Sequence, residues 1–236
     1  MARGENNVRY AQAPPTRAAS AVYASLAAQV LCLGALVTFE LVRGRSLAAQ
    51  LAAFDGRPRG AEAEAVVGAV TLFAVLILLL GVATIACAAA YTTWLIRARH
   101  VGDRHAPAGP VAAAWLIPGV NLVAPVLLVD ALWRGSLPPD GRRRRWLALL
   151  AAWWASWLTT LALVTVRLPL ETSADGLTGV GVPELVALSA AALLCAATVR
   201  EITAVQCAAR GVAVPTLLRL RRPAAPPESA PLGQAS

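Results

Sequence analysis

Apolar residues gather along this chain in five long blocks, separated by short polar stretches that hold nearly all of the charge. The first block, Ser20 to Val42, has the length of a bilayer crossing, which takes about 20 helical residues at a rise of about 1.5 Å each. It runs on into FELVRGR rather than into a small-residue cleavage site, so it reads as a retained span and not as a signal peptide. Its one acid, Glu40, sits at the end, within reach of headgroups or of Arg43 and Arg45. The second block starts near Ala63 and continues to about Arg99, more than a crossing needs, so its basic end is expected to project into water. The fourth, Trp146 to Val166, and the fifth, Pro183 to Ala208, are again long enough, and Pro183 with Glu184 suits a helix start.

The third block, Gly109 to Trp133, is interrupted by Pro118-Gly119 and Asn121 and again by Pro125. Proline lacks a donor and clashes with the preceding turn, so neither half makes a complete crossing helix. The pattern therefore predicts an all-α, polytopic membrane protein. It has four transmembrane helices, at about 20–42, 63–99, 146–166 and 183–208, plus one Pro/Asn-broken re-entrant or interfacial segment at 109–133. Together these form a helical membrane domain over 20–210. Residues 1–19 are expected to be a flexible tail, 43–63 a polar loop with Arg57-Pro58-Arg59-Gly60 as its turn signal, and the Pro-rich 211–236 a disordered tail.

Charge orients the spans. All 21 basic residues of the Lys+Arg count are Arg. With four crossings and a returning third block, fifteen Arg fall on the cytoplasmic side and five outside, setting aside Arg200 within the last helix. Five crossings with the same start give seven inside and thirteen outside, and inverting that chain gives thirteen and seven. The positive-inside rule favours four crossings, with both termini cytoplasmic and the cell membrane as the location.

Composition agrees: 58% of residues are apolar and 14% charged, and seven of the thirteen aromatics are Trp, a ring suited to the headgroup level. The net charge of +8 lies between apolar blocks rather than on a hydrophilic domain, which argues for topology and against nucleic acid. Cys32, Cys87, Cys195 and Cys207 lie far apart with no CxxC pair, so no disulfide or metal framework is expected.

Asp130 is an acid in an apolar stretch, a default candidate for a proton or cation path, but Arg134 one helical turn on offers an i,i+4 pair. Asn121 follows the Pro-Gly break, where freed backbone groups need partners, so Pro118, Asn121 and Pro125 mark either a substrate-lining break or a packed wedge. The run Arg142, Arg143, Arg144 and Arg145 should attract anionic lipid headgroups at about 1 kcal/mol per Arg. Trp146, Trp153 and Trp157 share a helix face with Trp154 beside it; the deeper pair could stack on a flat ligand or, more simply, pack on the broken segment. Gly81, Thr84 and Ala88, and again Ser189, Ala192 and Ala196, form small-residue stripes that permit close helix approach. Arg200 can snorkel to the interface and Glu201 can pair locally or with Arg97, an inter-helix ion pair being the preferred account. His100, Asp103 and His105 lie in a basic linker without a third strong ligand at a recognised spacing, so no metal site and no resident cofactor is expected. No nucleophile, base and oxyanion group converge, and there is no phosphate-loop or dinucleotide glycine signature.

The runs WLIRAR (Trp94 to Arg99), WLIPGVNLVAP (Trp115 to Pro125), LWR (Leu132 to Arg134), WWASWL (Trp153 to Leu158) and VREITAVQ (Val199 to Gln206) resemble the bacterial membrane family catalogued as domain of unknown function 4328. The likeness covers roughly residues 75 to 210, and Pro118, Asn121, Leu122, Pro125 and Trp133 are its most specific part. Val126 stands where the resemblance leads one to expect an aromatic, and Pro110 where it leads one to expect Trp. The resemblance implies a membrane protein and no enzyme class. The expected function is a non-enzymatic scaffold, accessory or lipid-contacting protein, with the bilayer, anionic headgroups and another membrane protein as candidate partners. A small transporter using the broken segment and an intramembrane enzyme on a lipid-like substrate are the alternatives.

Overall fold

A computed structural model describes residues 15–53, 61–102, 107, 109–117, 119–139, 141–167 and 178–211. The described residues form seven α-helices and no strand: α1 (Thr16–Phe39), α2 (Arg45–Ala53), α3 (Ala61–Gly102), α4 (Gly109–Leu116), α5 (Ala124–Gly135), α6 (Arg143–Arg167) and α7 (Val182–Ala208). Four stretches, Thr16–Gln50, Glu64–Gly102, Arg143–Thr165 and Val182–Ala208, are long and apolar enough to cross a membrane.

The long helices pack as a row. α1 lies between α3 and α7, and α6 lies on the far side of α7. At one end the row closes around a core of Val22 and Leu26 from α1, Trp94, Leu95 and Ala98 from α3, and Val199 and Ile202 from α7. Val111 of α4, Val129 and Trp133 of α5, and Trp146, Leu150 and Trp153 of α6 complete that core. The opposite end is thinner, with Leu33, Leu36 and Val37 of α1 packed on Phe73, Leu76 and Leu80 of α3 and on Leu185 and Leu188 of α7.

The broken segment goes in and comes back. α4 and α5, eight and twelve residues long, reach about 12 and 18 Å, short of the ~30 Å hydrocarbon core. They pack on one another through a turn containing a 3₁₀ helix at Val120–Leu122 and Gly119 at φ 84°. Gln206 of α7 fixes both ends of the excursion: its Nε2 donates to the Ala98 carbonyl at 2.9 Å and to Ser136 Oγ at 3.3 Å. The chain that leaves α3 therefore returns to the same end of the bundle.

Several expected boundaries are corrected. Residues 16–19 are helical, with Ala18 and Ala19 in the core, so the expected tail gives up its last residues to α1. The helix also does not stop at Val42. It passes through a π-helical turn at Glu40–Gly44 into α2, taking residues 45–53 from the expected loop. RSLAAQLAA is built from good helix formers, and Leu47 finds a partner in Val66 of α3. Glu40, expected to face headgroups or nearby Arg, is buried and accepts the Thr178 amide at 2.9 Å, tying this turn to the approach of α7. Its carboxyl folds over Gly44, where a Cβ would come within 3.1 Å of Glu40 Cδ. α6 begins at Arg143, so three of the four clustered arginines form its first turn. Residues 1–14, 54–60 and 212–236 lie outside the described residues, as does the Arg57 to Gly60 turn signal.

Gly119 has open space around it, so a Cβ there meets only backbone strain. Gly119→Ala is expected to lower stability by about 1–2 kcal/mol, read as thermal aggregation of detergent-solubilised protein. Gly81→Ala, in open space on a helix, should leave the midpoint unchanged or raise it. Equal midpoints for G119A and wild type would count against the left-handed turn.

Candidate functional site

The densest polar geometry lies where the returning α5 meets the start of α6. Past α5, Leu137 at φ 52° and Gly141 at φ 83° lie in the short link after which the GRRRR run returns over the last turns of that helix. Arg143 then grips Asp130 with both ends of its guanidinium: Nη1 to Oδ1 at 2.6 Å and Nη2 to Oδ2 at 3.0 Å. The Trp146 indole donates to Oδ1 at 2.9 Å, and Arg134 Nε lies 3.1 Å from Oδ2. Asp130 is 9% exposed, so these four contacts replace most of its water. Bidentate guanidinium pairing is among the strong charge-assisted arrangements.

The rings beneath complete the clamp. Trp133 stacks on Trp146 with centroids 5.1 Å apart and planes 3° from parallel, and the Arg143 guanidinium sits 5.5 Å over the Trp133 ring. The Arg143 hydrogen bond is the main reason the Asp130 carboxyl is held below its ordinary pKa. Burial opposes it, while the Trp146 hydrogen bond and the charges of Arg143 and Arg134 add to it.

A second aromatic group supports the re-entrant tip. Tyr91 of α3 lies 5.6 Å from Trp115 of α4 and 6.1 Å from Trp153 of α6. Trp157 meets Trp115 edge-on at 6.2 Å and stacks on Trp154 at 4.8 Å. The Trp154 indole donates to the Leu122 carbonyl at 3.0 Å, satisfying one acceptor freed by the break. Asn121 donates its backbone amide to Ile117 O, while its buried Oδ1, like Tyr91 Oη and Trp115 Nε1, has no hydrogen-bond partner among the described residues.

The chain matches the family model described as domain of unknown function DUF4328 over residues 57–206, more than half its length. The protein belongs to the DUF4328 family. The match takes in α3 to most of α7, and so the clamp and the aromatic support, but not α1. No curated protein and no solved structure matches it.

Of the residues singled out from sequence, Asp130 and Trp133 meet in the clamp with Arg143, and Trp153 and Trp157 flank the tip. Pro125 is buried in the first turn of α5, and Pro118 lies outside the described residues. The expected Asp130–Arg134 pair is present, but Arg143, thirteen residues away, makes the two shorter bonds. Two of the four clustered arginines also make contacts within the chain: Arg143 pairs with Asp130, and Arg142 lies 3.4 Å from Glu201. That pair also replaces the Arg97 partner expected for Glu201, while Arg200 is exposed on α7 and apart from the clamp. His105 and Asp103 lie outside the described residues, and no group of metal-ligating side chains occurs among the described ones. Ala192 of its stripe is in the core, whereas Gly81 and Ala88 are exposed.

Sequence reasoning missed Gln206, Tyr91, and Trp94, whose indole donates to Thr203 Oγ1 at 3.3 Å. Gln206 closes the run VREITAVQ, and a lone amide near the end of an apolar helix was the available signal.

Because the Asp130 pKa is lowered on folding, its contribution is complete above the unfolded carboxylate value of about 3.9 and is lost as pH falls through the folded value. Asp130→Asn should lower stability at pH near 7 by about 1–3 kcal/mol. The gap from wild type should then narrow as pH drops below about 4. Thermal midpoints across that range check it, and a gap unchanged in acid would contradict the clamp.

Proposed function

We propose that this protein is a non-enzymatic, multi-pass cell-membrane protein acting as a scaffold or accessory subunit, with its Arg-rich end in the cytoplasm against anionic headgroups. The observation that carries this reading is the use made of Asp130. The acid in the apolar re-entrant segment is held by Arg143, Arg134 and Trp146, which suits a structural lock better than a conducting path. At the same end Arg144 and Arg145 stay exposed, as required for contact with lipid phosphate. The polar positions inside α6 fit the same account: Thr159 and Thr160 bond back to Ala155 and Ser156 carbonyls within their own helix.

A transport role draws on one observation, the buried and unpartnered Asn121 Oδ1 near the re-entrant tip. Proteoliposomes carrying wild-type protein and N121A would have to differ in ion or solute flux for that role to stand; equal flux fits the scaffold reading.

The lipid-contact reading is tested with full-length protein in phosphatidylcholine nanodiscs with and without phosphatidylglycerol. Wild type should gain thermal stability from the anionic lipid. Replacing Arg144 and Arg145 by Ala should remove about 1 kcal/mol of that gain per residue. No gain in wild type, or an undiminished gain in the double variant, would reject the headgroup role.

A further inference from the structure

Beside the clamp, α6 and α7 leave a half-open cleft of about 300 Å³ lined by Arg142, Arg145, Trp146, Leu149 and Glu201. Its rim is amphoteric. Arg145 is exposed, and Arg142 is tied to Glu201 by a single 3.4 Å contact between side chains that are 55% and 32% exposed. An exposed pair of this kind contributes little and opens readily. A bare phosphate in the cleft would meet the Glu201 carboxylate as a repelling neighbour. A ligand carrying both a phosphate and an ammonium would satisfy both signs at once.

We infer that this cleft binds a glycerophospholipid whose headgroup bears a primary ammonium, the phosphatidylethanolamine class. The phosphate takes Arg145, and Arg142 once it is released from Glu201. The ammonium donates to the Glu201 carboxylate in its place, so the ion pair is exchanged rather than lost. A quaternary trimethylammonium has no N–H to donate and is bulkier, so phosphatidylcholine forfeits that bond. The occupant is a bilayer lipid rather than a soluble phosphate compound, because the wall below the rim is Trp146 and Leu149 and both flanking helices continue as apolar spans. The site deepens the lipid-contacting reading above and rests on it.

The test is native mass spectrometry of the full-length protein in detergent, offered equimolar phosphatidylethanolamine and phosphatidylcholine of identical acyl chains. Wild type should retain the ethanolamine lipid at least about tenfold over the choline lipid, the lower end of the worth of one charge-assisted hydrogen bond. Glu201→Gln, which keeps an acceptor but not the charge, should lower the ratio severalfold, and Glu201→Ala should bring it to about one. Arg145→Ala should lower retention of both lipids with the ratio preserved, and Arg45→Ala, exposed at the far end of the bundle and outside the cleft, should change neither. Soluble phosphoethanolamine in excess should not displace the lipid. A ratio of one in wild type, a ratio kept in E201Q, or displacement by the soluble headgroup overturns the inference. The stability gain from phosphatidylglycerol is read separately, so failure of the anionic-contact reading and failure of this site are told apart.

Discussion

The bond network on the Asp130 carboxylate is the constraint on which the rest of this architecture turns. A chain that enters an apolar layer and turns back must bring its returning helix to rest against something, and α5 offers mostly aliphatic surface. Asp130 supplies a charged, directional anchor within that surface. Held by Arg143 from α6, by Arg134 from its own helix and by the Trp146 indole, it fixes both where α5 ends and where α6 begins. Removing any one partner leaves a carboxylate or a guanidinium poorly compensated, which is why such groups act as a set. The Trp133–Trp146 stack then sets the spacing between the two helices.

The same economy of polar groups governs the tip. A break in a helix frees donors and acceptors that water cannot reach, and each must find a partner. Here Ile117, Gly119 and Val120 carbonyls receive amides from Asn121, Leu122 and Val123, and Trp154 reaches across to Leu122. Tyr91 of α3 bridges Trp115 of α4 and Trp153 of α6. Gln206 closes the loop at the base by bonding to residues on both sides of the excursion. Clamp, tip and base together explain why a segment with three prolines forms a compact hairpin of helices.

Much of the fold was legible because its signals are long. Twenty or more apolar residues in a row leave few alternatives to a spanning helix, and Pro118-Gly119 announces that the third block is different. Short signals failed. The end of the first helix was misread because Arg43 and Arg45 suggest a loop, whereas a π-turn carries the helix through them. The partner of Asp130 was half legible: Arg134 follows from helical spacing, but nothing in GRRRR says that its second arginine, Arg143, pairs with Asp130. That choice depends on the link from Ser136 to Gly141 and on the direction in which α6 leaves it. Tertiary contacts such as Gln206 with Ala98, 108 residues apart in sequence, carry no local trace.

The measurement that tests the account most directly is labelling of single introduced cysteines in intact cells with a membrane-impermeant reagent, in a background where the four native cysteines are replaced. Gly102 and Gly135, exposed and with room for a side chain, flank the re-entrant segment, and the exposed Gln50 lies beyond the far end of the first span. The account predicts that Gln50 labels from outside while Gly102 and Gly135 both stay protected until the cells are opened. Labelling of Gly135 with Gly102 protected would mean that the segment crosses, and would contradict the clamp as the device that turns it back.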